Sequence, residues 1–565
     1  MGIPSYFLHI VKKHRQIIKK YDPNAITIDN LYLDSNSIIY DCLQLITYKN
    51  HKEFESVLLT NVCEKIEYYI KTIKPVQKLI IAFDGVAPVA KLSQQKNRRY
   101  KSWFQNMINN DIHNTDNVKA WDSASITPGT EFMTSLNKAI VLFFSNANNY
   151  NLKEIIISGS NIPGEGEHKI YEYIRNNAEY HKDTITVIYG LDADLIMLTL
   201  NHLKYCNNMF LFRETPHFIK QIDNTLIANE NYVLDIPEFA DMLVYEMTQI
   251  SPDSEIKISD AVYDNTIQDY IFMCFFLGND FMPHFPALNI RTNGINHLIN
   301  AYKALNADMS NILKEYIPKN NLINKNRIIW NNVSKFFKLL SEKEHLNILE
   351  EYKIKEKMEK RFMPTYTPKQ EEDKFISIPI YERAIETYIN PSESDWEFRY
   401  YKSLFNIEFN GIDYDTDLEK LRKIAVNYLE TLEWTFKYYN EGCIDWKHCY
   451  KYNYPPLIED LYKFIPHFDT DFLEKKPKEP IHEYVQLCYV LPRHSLNLLP
   501  EDLFKILIDN YGEYYRLDYK FHWAFCRYFW ECHVLMPHID LNILEKLVEI
   551  YISQKQYPKT IAKKQ

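Results

Sequence analysis

Short apolar runs alternate with helical patterns over the first 300 residues of the chain. Four runs are rich in β-branched or aromatic residues and are closed by Asp, Gly or Ser, which is typical of buried strands. They cover residues 31–33, 79–83, 155–157 and 184–189. Between them the spacing of apolar residues predicts helices, for example over 61–72 and 131–148. This alternation predicts an α/β fold with a mostly parallel central sheet and helices on both faces.

From about residue 300 the pattern becomes mainly helical, and the last part of the chain is dense in Tyr and Trp. Residues 364–374 (PTYTPKQEEDK) are polar, contain two prolines and show no periodicity, so they predict a linker or a disordered insertion. We therefore expect a core over 1–300, a helical connector over 301–390 and a second, aromatic-rich region over 391–565.

The charge of the chain limits its possible partners. The 565 residues carry a net charge of −10, which argues against a protein that coats nucleic acid non-specifically. The charge is uneven, because residues 1–100 contain 15 Lys and Arg against 9 Asp and Glu. A local basic site in an acidic chain suits an enzyme that grips one phosphate group.

The cysteines and the apolar runs predict a soluble, cytoplasmic protein. The nine cysteines are scattered and include no C-x-x-C pair, which indicates reduced thiols. The longest apolar runs, 139–144 and 271–277, are far too short to cross a bilayer. We expect neither a signal peptide nor a membrane partner.

Acidic residues follow the predicted strands and open the predicted helices. The carboxyl ends of parallel strands meet at one edge of a sheet, where ligands bind. Two segments place a pair of acids two residues apart, PGEGEHK (163–169) and YGLDAD (189–194), and one further acid lies in the apolar segment FLGNDF (276–281). We expect seven carboxylates to share one crevice: Asp34, Asp84, Glu165, Glu167, Asp192, Asp194 and Asp280.

Capping is the better interpretation for any one of these acids taken alone. Several carboxylates in one crevice repel each other unless cations compensate, and no matching set of Lys and Arg lies beside them in the sequence. Oxygen ligands favour magnesium or manganese over zinc. Two such ions would support phosphoryl chemistry, one activating a water and the other stabilising the leaving 3′ oxygen.

A basic helix is predicted just after Asp84, over residues 91–99 (KLSQQKNRR). At 3.6 residues per turn its donors Lys91, Gln95 and Arg98 share one face, with Arg99 at the margin. Such donors suit a terminal phosphate dianion. An arbitrary basic run is more often a solvated helix face, but the position beside a predicted metal site favours phosphate binding.

Six motifs match one family in the same order along the chain. They are DNLYLDSN (29–36), FDGVAPVAKLSQQKNRR (83–99), ITPGTEFM (126–133), PGEGEHKI (163–170), YGLDADLIML (189–198) and FLGNDFMPHFPAL (276–288). On these motifs the chain resembles the eukaryotic 5′-to-3′ exoribonucleases, which degrade RNA bearing a 5′ monophosphate. Weaker similarity continues at 396–405, 485–492 and 530–540. The chain resembles a compact member without long C-terminal extensions, which would suit a large DNA virus or a protist.

The resemblance implies roles for particular residues. The metal-binding acids of the family fall on the seven carboxylates above, and its 5′-phosphate pocket falls on Lys91, Gln95, Arg98 and Arg99. The core would be of the flap-nuclease or PIN type, with the second region closing the active site. The family stacks bases between a His and a Trp. The His position reads as Tyr40 here, a departure that still allows stacking, and Trp446 is the best match to the Trp, although a core aromatic is nearly as good an interpretation.

The resemblance also implies an activity. We expect a 5′-to-3′ exoribonuclease of RNA decay that releases mononucleotides with one or two Mg²⁺ ions, for which Mn²⁺ can substitute. Its substrate would be single-stranded RNA with a 5′ monophosphate, and a cap would clash in a closed pocket. We expect a monomer, linked functionally to a decapping enzyme, in the cytoplasm (the host's, if the source is a virus). The alternatives are a flap-type DNA nuclease and a non-catalytic RNA-binding scaffold derived from the enzyme, which the loss of a cage acid would favour.

Overall fold

A seven-stranded sheet forms the centre of the fold. The computed structural model describes residues 5–23, 25–46, 50–114, 121–190, 192–214, 226–227, 230–307, 316, 318–409, 414–476 and 479–556. The first four residues, on which the expectation about a signal peptide rests, lie outside this range. The strands are β1 (Ile18–Lys20), β2 (Asn30–Asp34), β3 (Lys78–Ala82), β4 (Glu154–Ser158), β5 (Ile185–Tyr189), β6 (Asn208–Glu214) and β7 (Asn231–Asp235).

The helices surround this sheet and continue into the second region. Up to residue 305 they are α1 (Tyr6–Lys13), α2 (Asn36–Leu43), α3 (His51–Ile73), α4 (Val89–His113), α5 (Glu131–Phe143), α6 (Gly166–Asn176), α7 (Ala178–His181), α8 (Asp194–His202), α9 (Ile236–Thr248), α10 (Asp260–Cys274) and α11 (Gly294–Leu305). Beyond it they are α12 (Trp330–Glu359), α13 (Pro368–Ile376), α14 (Ile378–Tyr381), α15 (Ala384–Ile389), α16 (Trp396–Phe405), α17 (Tyr414–Glu441), α18 (Ile458–Tyr462), α19 (Glu483–Val490), α20 (Glu501–Tyr511) and α21 (Leu541–Gln556). Two short antiparallel pairs complete the fold: β8 (Ile323–Asn324) with β9 (Arg327–Ile328), and β10 (Lys520–His522) with β11 (His533–Leu535).

The sheet is mostly parallel, as predicted. Its strand order is β1-β7-β6-β5-β2-β3-β4, and β2 to β6 all run in parallel. Only β7 and β1, which were not predicted, pair antiparallel at one edge. The chain order reverses between β2 and β5, and in such sheets the crevice at the carboxyl ends of the reversal strands is where ligands bind.

Both faces of the sheet are buried because successive side chains on a strand point to opposite sides. On β2, Leu31 and Leu33 belong to a buried cluster with α3 and α5. Tyr32, between them, belongs to a larger cluster that reaches α17 and α12 of the second region. The core therefore continues from the sheet into the second region without a break at residue 300.

Helix α4 is held by the second region through its N-terminal end. Its first buried residues, Val89 and Leu92, pack in a cluster with Leu487 and Val490 of α19. The side chain of Gln486 accepts a hydrogen bond from the Ala87 backbone N–H at 3.0 Å. The basic helix is thus fixed by residues almost 400 positions away in sequence.

The linker predicted near 364–374 is corrected in part. Residues 368–374 belong to α13, which begins with Pro368 at its first position and is capped by Thr367, whose hydroxyl accepts from the Gln370 N–H at 3.3 Å. Proline is favoured at that position because its missing N–H needs no helical partner there. The helix contacts α4 through the rings of Phe375 and Phe104.

None of the helices in the described part of the chain is both long enough and apolar enough to cross a membrane. All nine cysteines are free, and seven of them are buried.

Candidate functional site

The seven predicted acids lie at the carboxyl edge of the sheet. Asp34 is the last residue of β2, and Asp84 follows β3 by two residues. Glu165 precedes α6 directly and Glu167 lies in its first turn, whereas Asp194 begins α8 after β5. The remaining two acids, Asp192 and Asp280, lie in the loops before α8 and after α10.

Two groups of side chains in this crevice are close enough to hold a metal ion. Asp34, Asp84 and Glu167 each offer one oxygen, and these oxygens lie within 4.8 Å of one another. Glu165, Glu167 and His168 form the second group by the same measure. Glu167 belongs to both groups, so one carboxylate stands between two places suited to a cation. In the described residues, Asp192, Asp194 and Asp280 belong to no such group.

A glycine allows the backbone of α6 to approach the acids. The Gly166 N–H donates to Asp84 Oδ1 at 2.8 Å. A β-carbon at Gly166 would lie 2.6 Å from Asp34 Oδ1 and 3.5 Å from Asp84 Oδ1. A side chain at this position would therefore force the Asp34 carboxylate to move.

Asn36 is a site residue that sequence reasoning missed. Its amide Nδ2 donates to Asp84 Oδ2 at 2.6 Å, and its Oδ1 accepts from the Asp84 backbone N–H at 3.1 Å. The only available signal was its place at the end of the DNLYLDSN segment, two residues after Asp34. Asn36 orients Asp84 as residues outside the ligand set commonly do.

Lys91 lies inside the acidic crevice. Its Nζ is 2.5 Å from Glu165 Oε2 and 2.5 Å from Asp280 Oδ2. Burial is the largest single effect on Asp280 and acts to raise its pKa, but the nearby positive charges, of which Lys91 is the strongest and Arg98 another, together hold that pKa well below the usual range. The pKa of Glu165 is raised, because burial exceeds the effect of Lys91 there. One ammonium therefore compensates part of the negative charge and leaves the rest.

Raised pKa values reduce the remaining negative charge of the crevice, because they favour the protonated, neutral form of the acids. Burial, followed by the neighbouring carboxylates, raises the pKa of Asp34 and of Glu167 well above the usual range. Burial and then Asp280 raise the pKa of Asp194 to about 7. The buried oxygens Asp34 Oδ1 and Asp194 Oδ1 have no hydrogen-bond partner within the described part of the chain. Raised pKa values and unpaired oxygens fit residues that hold divalent cations through hard oxygen ligands.

The four residues predicted to bind the phosphate lie in different surroundings along α4. Gln95 accepts a hydrogen bond from Gln486 Nε2 at 3.2 Å, whereas Arg98 and Arg99 line a cavity of about 750 Å³. Arg99 Nη2 donates to Thr127 Oγ1 at 2.8 Å, and its buried Nη1 has no hydrogen-bond partner among the described residues. Burial and then Arg98 lower the pKa of Arg99 to about 10, so an anion beside it would relieve an electrostatic cost.

This cavity is larger than a phosphate group requires. Its wall continues from Arg98 along α4 through Trp103 to Asn110, and His494 stacks on Trp103 with ring centroids 4.6 Å apart. Arg98 also lines a second cavity of about 410 Å³, which is bounded by Asp280. It therefore stands between the acidic crevice and the larger cavity.

The two predicted stacking residues are placed differently. Tyr40, on α2, is half-buried and lines the larger cavity together with Arg98. Trp446 is also half-buried, and its carbonyl oxygen accepts from the Val89 N–H at 2.9 Å, at the beginning of α4. The structure therefore brings Tyr40 into the cavity that the arginines line. The backbone of Trp446 instead contacts Val89, two residues before Lys91.

Helix α17 contributes two site residues that sequence reasoning missed. Tyr438 donates its hydroxyl to Glu165 Oε1 at 3.1 Å. Tyr439 lies against His168 in an edge-to-face arrangement, with ring centroids 5.7 Å apart. Both tyrosines are buried, and each lies more than 270 positions in sequence from the residue that it contacts here. No local pattern distinguishes them from the other tyrosines of the second region, so no sequence signal could have found them.

Comparison with known proteins covers both parts of the chain. A family model described as XRN 5′-3′ exonuclease N-terminus matches residues 1–215, and one described as Xrn1 helical domain matches residues 261–381 and 381–554. The chain is 27% identical over 679 residues to 5′-3′ exoribonuclease 1 of Saccharomyces cerevisiae, which covers 98% of this chain and 43% of the relative. It is 30% identical over 597 residues to 5′-3′ exoribonuclease 1 of Homo sapiens, covering 97% and 34%, and 27% identical over 688 residues to 5′-3′ exoribonuclease 2 of Gallus gallus, covering 97% and 70%. The chain thus spans less than half the length of two of these relatives.

Proposed function

The chain belongs to the XRN 5′-3′ exonuclease family, and from that membership we propose that it is a 5′-to-3′ exoribonuclease, which hydrolyses 5′-monophosphorylated RNA to nucleoside 5′-monophosphates. The observation that carries the proposal is that the carboxylates of Asp34, Asp84 and Glu167 lie close enough to one another to hold one metal ion. The basic helix α4 also carries two arginines that line a cavity. A crevice of acids supports phosphodiester hydrolysis, and the arginines support recognition of a terminal phosphate.

We propose Mg²⁺ as the cofactor, with Mn²⁺ able to substitute. Asp34, Asp84 and Glu167 would hold one ion, and Glu165 with the acids after β5 and α10 would complete a second site. Bound there, the ions supply an activated water and stabilise the charge on the leaving 3′ oxygen. Asn36 and Gly166 keep the Asp84 carboxylate in place through the contacts described above.

The basic helix accounts for the direction of attack. Arg98 lines both cavities, so in this proposal it would lie between the terminal phosphate and the scissile bond. The unpaired Arg99 Nη1 supplies a buried donor for a dianion that an internal phosphodiester cannot present. Because the cavity is large, we attribute the preference for 5′ monophosphate to these donors and not to steric closure. The base of the terminal nucleotide would stack on Tyr40 in the same cavity.

The cellular setting is part of the proposal. Free cysteines support a reducing compartment, and the predicted setting is RNA decay in the cytoplasm. Decapping exposes the 5′ monophosphate that Arg98 and Arg99 would recognise, so an enzyme that removes caps is the expected functional partner. We propose that the protein acts as a monomer, since the residues of the crevice and the basic helix all come from one chain.

The test is a time course of hydrolysis on RNA with a 5′ phosphate, a 5′ hydroxyl or a cap, each with and without Mg²⁺. We expect mononucleotide release from the 5′-phosphorylated RNA only when the metal is present. Asp194→Ala should abolish hydrolysis of every substrate, whereas Arg98→Ala should mainly erase the preference for phosphate over hydroxyl. Equal digestion of both ends by the unmodified protein would refute the phosphate pocket, and preferential cutting of a flapped DNA duplex would favour a DNA nuclease.

A further inference from the structure

His168 lies among the acids but has no assigned role in the crevice. It follows Glu167 in α6, it is 93% buried, and its Nδ1 has no hydrogen-bond partner among the residues that the structure describes. One of its ring nitrogens lies within 4.8 Å of ligand oxygens of Glu165 and Glu167. A buried imidazole nitrogen without a partner is costly unless something binds it.

Tyr438 fixes both His168 and Glu165. Its ring stacks on the imidazole with centroids 3.7 Å apart and planes 22° apart, while its hydroxyl donates to Glu165 Oε1. Stacking covers a face of the imidazole and leaves the ring edge, which carries the nitrogen lone pairs, available in the plane. A metal ion approaches an imidazole nitrogen in the plane of the ring. Stacking on Tyr438 therefore leaves His168 in an orientation that allows it to bind a metal ion.

We propose that His168 is a nitrogen ligand of a metal site formed with Glu165 and Glu167, in which Glu167 bridges to the all-carboxylate site of Asp34 and Asp84. This proposal rests on the proposed function in that both use the same crevice. The two sites differ in ligand chemistry, because one offers only oxygen and the other offers an imidazole. Nitrogen ligands favour Mn²⁺ and later transition metals over Mg²⁺. Lys91 contacts one oxygen of Glu165 and Tyr438 the other, and each oxygen keeps a second lone pair that can ligate an ion.

Pulsed electron paramagnetic resonance of the full-length protein loaded with Mn²⁺ tests this proposal. We expect ¹⁴N modulation from a directly bound imidazole, replaced by a ¹⁵N pattern when the protein is labelled with ¹⁵N-histidine. His168→Gln should remove the nitrogen signal and weaken Mn²⁺ binding about tenfold or more, with a much smaller effect on Mg²⁺. The labelled unmodified protein needs no substitution, so the test holds even if the variant folds poorly.

His202→Gln is the matched control. His202 is also buried and also stacks near a tyrosine, but its Nδ1 contacts the Leu198 carbonyl at 2.7 Å and its Nε2 lies 2.9 Å from Arg175 Nη1. This variant should keep the nitrogen signal. Absence of nitrogen coupling in the unmodified protein, or coupling that persists in His168→Gln, would overturn the proposal. RNA hydrolysis measured on the same samples separates the two hypotheses, because hydrolysis with oxygen-only coupling refutes the histidine ligand and leaves the proposed function standing.

Discussion

Asn36 and Asp84 hold each other through two hydrogen bonds, one from the Asn36 amide to the Asp84 carboxylate at 2.6 Å and one from the Asp84 backbone to the Asn36 side chain at 3.1 Å. The pair joins the first residue of α2, just after β2, to the loop after β3. Because β2 and β3 are neighbouring parallel strands, the two bonds set the position of one candidate metal ligand relative to Asp34.

Replacing Asn36 should weaken metal binding without unfolding the protein. We expect Asn36→Ala to lower Mg²⁺ affinity roughly tenfold to a hundredfold, because Asp84 loses the group that orients it. Isothermal titration with Mg²⁺ measures this affinity directly. Asn137→Ala is the control, because Asn137 makes a similar two-point contact with Ser160, which has no carboxylate. Equal affinities in Asn36→Ala and the unmodified protein would contradict an orienting role.

Gly166→Ala should separate stability from activity. The new β-carbon would lie 2.6 Å from Asp34 Oδ1, the movable end of a side chain, so we expect Asp34 to shift and hydrolysis to fall by orders of magnitude. The melting temperature should hardly change, since alanine also favours the helix by up to about 1 kcal/mol. Gly512→Ala is the control, because the nearest atoms to its β-carbon are 3.8 Å away. Full activity in Gly166→Ala would rule out the close packing described here.

Magnesium should stabilise the protein more as the pH rises. The pKa of Asp194 is raised to about 7, so the folded state keeps a proton that the unfolded state loses near pH 4. Without metal, the free energy of unfolding therefore falls as the pH rises through this window. A bound ion displaces the proton, and the gain in melting temperature with Mg²⁺ should increase between pH 5.5 and 8.

The measurement is the difference in melting temperature with and without Mg²⁺ at each pH. Taking the difference cancels the pH dependence that comes from groups outside the crevice. Glu344 is one such group, since burial raises its pKa to about 8. Asp194→Asn should flatten the pH dependence. A gain that stays constant from pH 5.5 to 8 in the unmodified protein would show that no proton is displaced.

Tyr40 should contribute to substrate binding through its ring. We expect Tyr40→Ala to raise KM for 5′-phosphorylated RNA roughly 5-fold to 150-fold, the range for loss of one base–aromatic stack of 1–3 kcal/mol. Tyr40→Phe keeps the ring and should change KM little, which makes it the internal control. Steady-state kinetics distinguish the two variants. If Tyr40→Ala and Tyr40→Phe behave alike, the ring does not stack on the substrate.

Much of the sheet could be predicted because its strands are short, apolar and closed by acids. The position of these acids at the carboxyl edge could also be predicted, because the ends of parallel strands meet there for any loop conformation. The edge strand β1 could not be read, because its sequence Ile18-Lys19-Lys20 carries no apolar run. The helix at Pro368 was misread because proline ends most helical patterns, yet it is favoured when it follows a cap such as Thr367.

The charge pattern of the crevice was harder to predict. Lys91 lies on the helix face that the spacing indicates, but only the packing of α4 shows that it reaches Glu165 and Asp280. Tyr438 contacts Glu165 from a helix 273 residues away. Contacts of this kind depend on tertiary packing, so no local pattern in a single sequence predicts them.

The anchoring of α4 has a consequence for synthesis of the chain. All seven acids and both arginines have been translated by residue 280, but the helix that carries the arginines packs on Gln486 and on the carbonyls of Trp530 and Cys532, which Lys101 contacts. A ribosome-bound or prematurely terminated chain has the chemical groups without the parts that hold them in place. The basic helix therefore gains its full support only after residue 532 has been synthesised, about 250 residues after the last of the seven acids.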